Sequence, residues 1–368
     1  MCVIAGYAGN RPAAPILIDM MRRQQFFDGG LSTGIATIHE GKLYTAKVLG
    51  DLDVLLETTD ALRLPGTVGI MHSRPAGDLL SHAHPFTSED GCLAAVLNGT
   101  LRDVMGQDFL QAINGMMADF VNRGFTVKTA CSPEEVPAMG KHLPDGRNYH
   151  YSEGMTLTLG DLVAESGKNT IRDDLAKAMV TTLSAAPADI VMLAVHALAE
   201  DTVTAGVITR PMNAGFGGGE TYLATSAIAF PEEIQKNPIL PLPPTSVVQI
   251  TPRGLTMHTT TIPGVRVEQI NARIAGEFYS RIEAMLLGKK DDPVSIYDMD
   301  AYRGWRDIWS KPYVECKFRG EKEGLLKPYA AAIYQALWAL HREGRLRSTL
   351  GTYHGAPMTR FWIENNNT

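Results

Sequence analysis

The sequence has few cysteines and no pattern among them. Cys2, Cys92, Cys131 and Cys316 are the four in 368 residues, with no CxxC pair and no histidine at zinc-site spacing, so neither a disulfide framework nor a metal cluster is expected. A basic excess is also missing. Lys and Arg number 34 against 40 Asp and Glu, a formal charge of -6, and this balance favours neither the phosphate backbone of a nucleic acid nor an anionic membrane as partner. No apolar run reaches the roughly 18 residues needed to span a bilayer. The N-terminal MCVIAGYAG has neither a basic region nor a long apolar stretch ending in a cleavage site. The chain is therefore read as cytoplasmic, with a small molecule or a protein as partner and no cofactor called for. Its composition, 45% hydrophobic and 20% charged, is that of an ordinary globular protein.

What is present is a clustering of strands, then of helices. Residues 2 to 8 are short, apolar and β-rich, Asn10 to Pro12 break the run, and Ala14 to Gln24 place apolar residues at helical spacing. A glycine-bearing loop, FFDGGLSTG, precedes strands at Gly34 to His39 and Lys42 to Val48, joined by a tight turn at Glu40 and Gly41. Strands follow at Thr67 to His72 and Cys92 to Leu97, then a helix near Gln107 to Asn122. The class is α+β rather than alternating βαβ. From about 131 to 168 the composition turns to Pro, Gly, Asp and scattered charge, which reads as a surface insertion. Helix and strand resume at Thr170 to Ser184 and Ile190 to Leu198.

After Gly264 the character changes. Val267, Ile270, Ile274, Phe278, Ile282 and Met285 lie three or four apart and mark one face of a long helix. A second helix is expected from Pro328 to Arg342, followed by two short strands about the turn at Gly355 to Pro357. The division is thus 2–264 and a mainly helical 265–368, which is either a small docking subdomain or a winged-helix-like unit.

Cys2 directly follows the initiator methionine. Removal of Met1 would leave a thiol and a free α-amino group on one residue, and an amine with a pKa of about 7.7 to 8.0 can act as base toward its own thiol. Taken alone, a cysteine opening a buried strand fits a packed small hydrophobe as well as a nucleophile. Asn98–Gly99, taken alone, is first a hairpin turn.

The segments CVIAGYAG, MRRQQFFDGGLSTGIA, VGIMHSRPAG, AHPF, LNGTL and GFGGGETYLATSAIAF change that weighting. In their order and separations they resemble the glutaminase domain of the class II glutamine amidotransferases, over residues 2 to about 264. The resemblance implies a four-layer αββα N-terminal-nucleophile hydrolase fold, with Cys2 as nucleophile. It implies Asn98 and Gly99 as the oxyanion hole and Arg74 as the holder of the glutamine α-carboxylate. Gly217 and Gly218 would then belong to a loop near the substrate. Ser132 falls where the family has an acidic residue for the α-ammonium group, with Glu134 and Glu135 as neighbouring candidates. Further departures are Pro75 and Gly77 in place of a Trp and a Thr, and Asp28 or a neighbour in place of an arginine. The implied function is release of ammonia from glutamine to an acceptor site on another subunit. Two other readings stand beside it: an N-terminal-nucleophile acylase with a different amide substrate, and a non-catalytic sensing or docking module. His72, His82 and His84 have irregular spacing that does not indicate a metal site.

Overall fold

A computed structural model describes residues 2–100, 107–136, 141–185, 187–309, 325–353 and 355–364. Thirteen strands build two sheets: β1 (Val3–Ala8), β2 (Ser32–His39), β3 (Lys42–Leu49), β4 (Val68–Arg74), β5 (Phe86–Thr87), β6 (Leu93–Thr100), β7 (Asp189–His196), β8 (Val203–Val207), β9 (Asn213–Gly217), β10 (Glu220–Ala224), β11 (Leu240–Pro241), β12 (Ser246–Thr251) and β13 (Gly254–Thr259). One sheet has the order β11-β9-β10-β1-β4-β2-β3 and the other β13-β12-β8-β7-β6-β5. The hairpin at Glu40–Gly41 forms as expected, with both residues at positive φ (48° and 70°), which matches the right-handed twist of β2 and β3.

Strand periodicity explains the layering. Along β1, Ile4 and Ala8 face the other sheet, while Val3, Ala5 and Tyr7 face outward into a helical layer. Along β6 and β7, Ala94, Val96, Val191, Leu193 and Val195 turn inward, and Leu93, Ala95, Leu97, Ile190, Met192 and Ala194 turn outward. Side chains that alternate across a sheet covered on both faces leave no polar side. The result is helix, sheet, sheet, helix: the α+β, αββα arrangement.

Helices Tyr151–Leu162 and Ile171–Ala185 cover the second sheet. The stretch 131–168 is therefore not wholly a surface insertion, because Tyr151, Met155 and Leu159 are buried at four-residue spacing in that helical layer. Interleaved Gly and Thr hid the periodicity.

The segment after Gly264 joins the outer layer of the first sheet. Asn271 Oδ1 accepts from the Ile274 N–H at 3.0 Å and starts the helix Ala272–Leu286 there, later than expected, since Val267 is taken into a short parallel pairing with Leu326. Ile274, Phe278, Ile282 and Leu286 are buried with Val3, Tyr7 and Leu17 in one cluster. Phe278 stacks on Trp305 at 4.5 Å. The terminal hairpin Leu346–Tyr353 and Ala356–Ile363 meets the first helix (Ala13–Asp28) through Phe27 and Phe361, ring centroids 5.3 Å apart. Among the described residues no helix is long and apolar enough to cross a membrane.

Candidate active site at the start of the central strand

Cys2 sits immediately before β1, which lies between β10 and β4. It is half-buried, and its backbone N–H donates to Asn98 Oδ1 at 3.0 Å. Asn98 is 1% exposed, and its Nδ2 has no hydrogen-bond partner. An unsatisfied buried amide N–H costs about 1–3 kcal/mol, so a free donor beside a thiol points to a group that arrives later. Asn98 and Gly99 are not a hairpin turn. They pair with Val191 and Ile190 inside the β6–β7 ladder. Gly99 is required there, because a Cβ would fall 2.3 Å from Ile190 Cγ2 and 2.5 Å from Asp189 O.

His72 ties the two sheets together behind this point. Its Nε2 lies 3.0 Å from Leu97 O, the residue before Asn98, and its ring stacks on His84 at 3.8 Å. Burial, aided by Arg74, pushes its pKa down to about 3, so the ring is neutral and serves as a fixed strut. His82, His84 and His150 continue the ring array. Among the described residues no three His, Cys, Asp or Glu come together as metal ligands.

Arg74 ends β4. Its Nη1 donates to His82 O at 2.8 Å and lies 3.4 Å from Asp78 Oδ1, with the side chain 13% exposed. His82 Nε2 in turn lies 3.0 Å from Thr129 O, which brings the loop bearing Ser132 to the same corner. Buried Glu153 anchors that loop, accepting from the N–H groups of Lys128 at 2.7 Å and Thr129 at 2.9 Å. Ser132 itself is held by Glu135: its N–H donates to Glu135 Oε2 at 2.9 Å. Glu134 and Glu135 are both exposed. Asp78 is different. Against the penalty of burial, the hydrogen bond to His82 and the charge of Arg74 hold its carboxyl well below the usual range.

Gly217 and Gly218 require a correction. Gly217 pairs with Glu220 and Ala8 with Thr221, so the glycine turn lies beside Asn10 and Arg11 at the far end of β1. Six residues of strand separate that end from Cys2, about 20 Å at 3.3 Å per residue. The turn shapes a polar cleft with Arg11, Glu220 and Asn237, where Glu220 accepts from Tyr7 at 2.6 Å and from Arg11 at 2.6 Å. Both glycines belong to that end of the sheet and have no place at the thiol.

Two site residues escaped the sequence reading. Arg210 is 2% exposed and pairs with Asp189 at 2.7 Å. Asp78 lies four residues after Arg74, a spacing that could have suggested a pair. Burial pushes the Cys2 thiol up, Asp28 adds to that, and Arg74 and Arg210 oppose it. The other described cysteines, Cys92 and Cys131, are free thiols. Cys92 is half-buried just ahead of β6 rather than inside it. Cys316 lies outside the described residues.

No family model matches the chain. Glutamine–fructose-6-phosphate aminotransferase of Leifsonia xyli is 28% identical over 273 residues, covering 73% of this chain and 38% of that enzyme. Its counterpart in Tropheryma whipplei is 30% identical over 243 residues, 64% of this chain and 34% of that enzyme. Among solved structures, the glutamine phosphoribosylpyrophosphate amidotransferase of B. subtilis superposes with a TM-score of 0.50 at 19% identity, over 76% of this chain and 52% of that one. The chain is similar in sequence to these glutamine–fructose-6-phosphate aminotransferases and shares its fold with a glutamine amidotransferase. It spans about a third of the length of the two aminotransferases, and the superposition speaks to fold alone.

Proposed function

We propose that this protein hydrolyses the side-chain amide of glutamine and passes the ammonia to an acceptor site on another subunit. The reading is carried by one observation: Asn98 holds the Cys2 nitrogen with Oδ1 and keeps Nδ2 buried and unpartnered beside the thiol. With Met1 removed, the α-amino group takes the thiol proton, and the thiolate attacks the amide carbon. The oxyanion is received by Asn98 Nδ2 and the Gly99 N–H. The amine returns its proton to the departing nitrogen, ammonia leaves, and water hydrolyses the γ-glutamyl thioester.

Incubation with 6-diazo-5-oxo-norleucine, followed by intact-mass and peptide analysis, tests nucleophile, processing and substrate together. A single adduct on Cys2 of a chain lacking Met1 is expected. Absence of any adduct would favour the non-catalytic reading.

For substrate binding, Arg74 offers a planar fork to the α-carboxylate. We assign the counter-charge for the α-ammonium group to Asp78 rather than to Ser132, since Asp78 is an ionised carboxylate adjoining Arg74. A charge-assisted hydrogen bond is worth about 1.5–3 kcal/mol. Asp78→Asn should therefore raise KM for glutamine roughly 10- to 150-fold with little change in kcat. An unchanged KM would remove Asp78 from the site. If Ser132→Asp alone then improved glutamine binding, the ammonium group would lie at Ser132. The neutral Ser132, and the engagement of Glu135 with its own loop, keep an acylase with another amide substrate as the second reading. Faster wild-type hydrolysis of acyl amides lacking an α-amino group would establish it.

A further inference from the structure

The first helix runs back along β1, and Gln24 Nε2 donates to Ile4 O at 3.0 Å. One more helical turn, a rise of about 5.4 Å, matches two residues of strand, about 6.6 Å, so Asp28 comes level with Cys2. Asp28 is fully buried. The Tyr297 hydroxyl, from the helix Ile296–Asp300 of the C-terminal segment, hydrogen-bonds to this carboxylate. The Tyr297 ring is itself fixed by stacking on Tyr353 at 4.9 Å. Tyr334, from the helix Tyr329–Arg342, is 2% exposed and brings an unpartnered hydroxyl to the same place. The groups that face Asp28 are thus Cys2 just ahead of β1, Arg210 from the loop after β8, and Tyr297 and Tyr334 from the C-terminal segment, with Asp300 beside Tyr334.

We propose that Asp28, held in place by the Tyr297 hydroxyl, is a positioning residue for the α-amino group of mature Cys2, so that the C-terminal segment acts on the nucleophile through a phenol. This rests on the reading of Cys2 as an N-terminal nucleophile. Asp28 accepts a hydrogen bond from the amine and aims its lone pair at the thiol. The thiol proton passes to the amine and then to the leaving nitrogen, while Asp28 keeps its own protonation state throughout. A carboxylate at this position also disfavours the thiolate and favours the ammonium form of the amine. The price is a base that releases its proton at higher pH, in exchange for orientation.

Removing the charge at Asp28 lowers the pKa of both thiol and amine. Removing the Tyr297 donor destabilises the Asp28 carboxylate, so a larger fraction of it is neutral at a given pH and the shift has the same direction. Alkylation of Cys2 by iodoacetamide would be followed against pH on the N-terminal peptide, in protein whose loss of Met1 has been verified by mass. For Asp28→Asn the midpoint should fall by about one pH unit, a nearby charge being worth 1–3 units, and the rate at pH 6.5 should rise accordingly, about tenfold. For Tyr297→Phe a smaller fall is expected. Where Asp28→Asn does not fold, Tyr297→Phe decides alone. Unmoved midpoints, movement to higher pH, or a chain that keeps Met1 would overturn the proposal. Alkylation needs no glutamine, so a protein that shows the shift but hydrolyses no glutamine supports this inference while sinking the glutaminase reading.

Discussion

Cys2→Ser protein should keep its fold and lose glutamine hydrolysis by several orders of magnitude. The substitution changes one atom at a half-buried position whose backbone N–H, the group that meets Asn98, is retained, so stability should shift by less than about 1 kcal/mol. The chemistry changes far more. A thiol has a thiolate accessible near neutral pH and is intrinsically nucleophilic, whereas a hydroxyl depends wholly on its base. In the wild type, burial and Asp28 push the thiol up, and Arg74 and Arg210 draw it down. Activity in the wild type should rise with pH as the α-amino group loses its proton, because only the neutral amine can accept the thiol proton. Steady-state hydrolysis, with thermal unfolding as the folding control, checks both halves. A Ser variant with turnover within tenfold of wild type would place the nucleophile elsewhere. So would a thermally intact Ser variant that still takes up one equivalent of 6-diazo-5-oxo-norleucine.

Much of the architecture is legible in the sequence because the signals are local. The Glu40–Gly41 turn, the β-rich run after Cys2 and the 3.6-residue periodicity of Ile274, Phe278 and Ile282 each follow from neighbours along the chain. The helix at Tyr151–Leu162 escaped because Gly154, Gly160, Thr156 and Thr158 dilute its apolar face, and only the finished layer shows that Met155 and Leu159 are buried. The site divides in the same way. Cys2, Arg74 and Asn98 lie in motifs, whereas Arg210, Tyr297 and Tyr334 come to Asp28 only through long-range packing that leaves no periodic trace. Gly217 and Gly218 show the converse hazard. A motif correctly placed in sequence order lies at the wrong end of a strand once the antiparallel register of β1 and β10 is known. The loop bearing Ser132 meets the Arg74 corner through His82, and the charge in that corner is carried by Asp78, on a different loop.

Asn98→Ala should lower kcat for glutamine about 100- to 1,000-fold while leaving KM within a few-fold. The side chain has two functions that the truncation removes together: Oδ1 accepts from the Cys2 nitrogen at 3.0 Å, and Nδ2 is a buried donor with no partner in the free protein. The second is the larger loss. Removing one preorganised donor from an oxyanion hole costs about 2.7–4 kcal/mol of transition-state stabilisation, and each 1.36 kcal/mol is a factor of ten in rate. The ground-state amide oxygen carries little charge, so binding should barely change and the effect should fall on kcat. Asn98→Asp separates the two functions. The carboxylate keeps an acceptor for the Cys2 nitrogen at nearly the same size, yet offers no donor and sets negative charge where negative charge must develop, so it should be slower still than Asn98→Ala. Folding is not the confounding variable, because the free Nδ2 contributes no hydrogen bond to the resting protein, and His72 holds the preceding carbonyl of Leu97 independently. If Asn98→Ala lost most of its activity through KM, Asn98 would be a substrate clamp. If Asn98→Asp outperformed Asn98→Ala, the oxyanion would be stabilised elsewhere and the amide of Asn98 would serve only to place the Cys2 nitrogen.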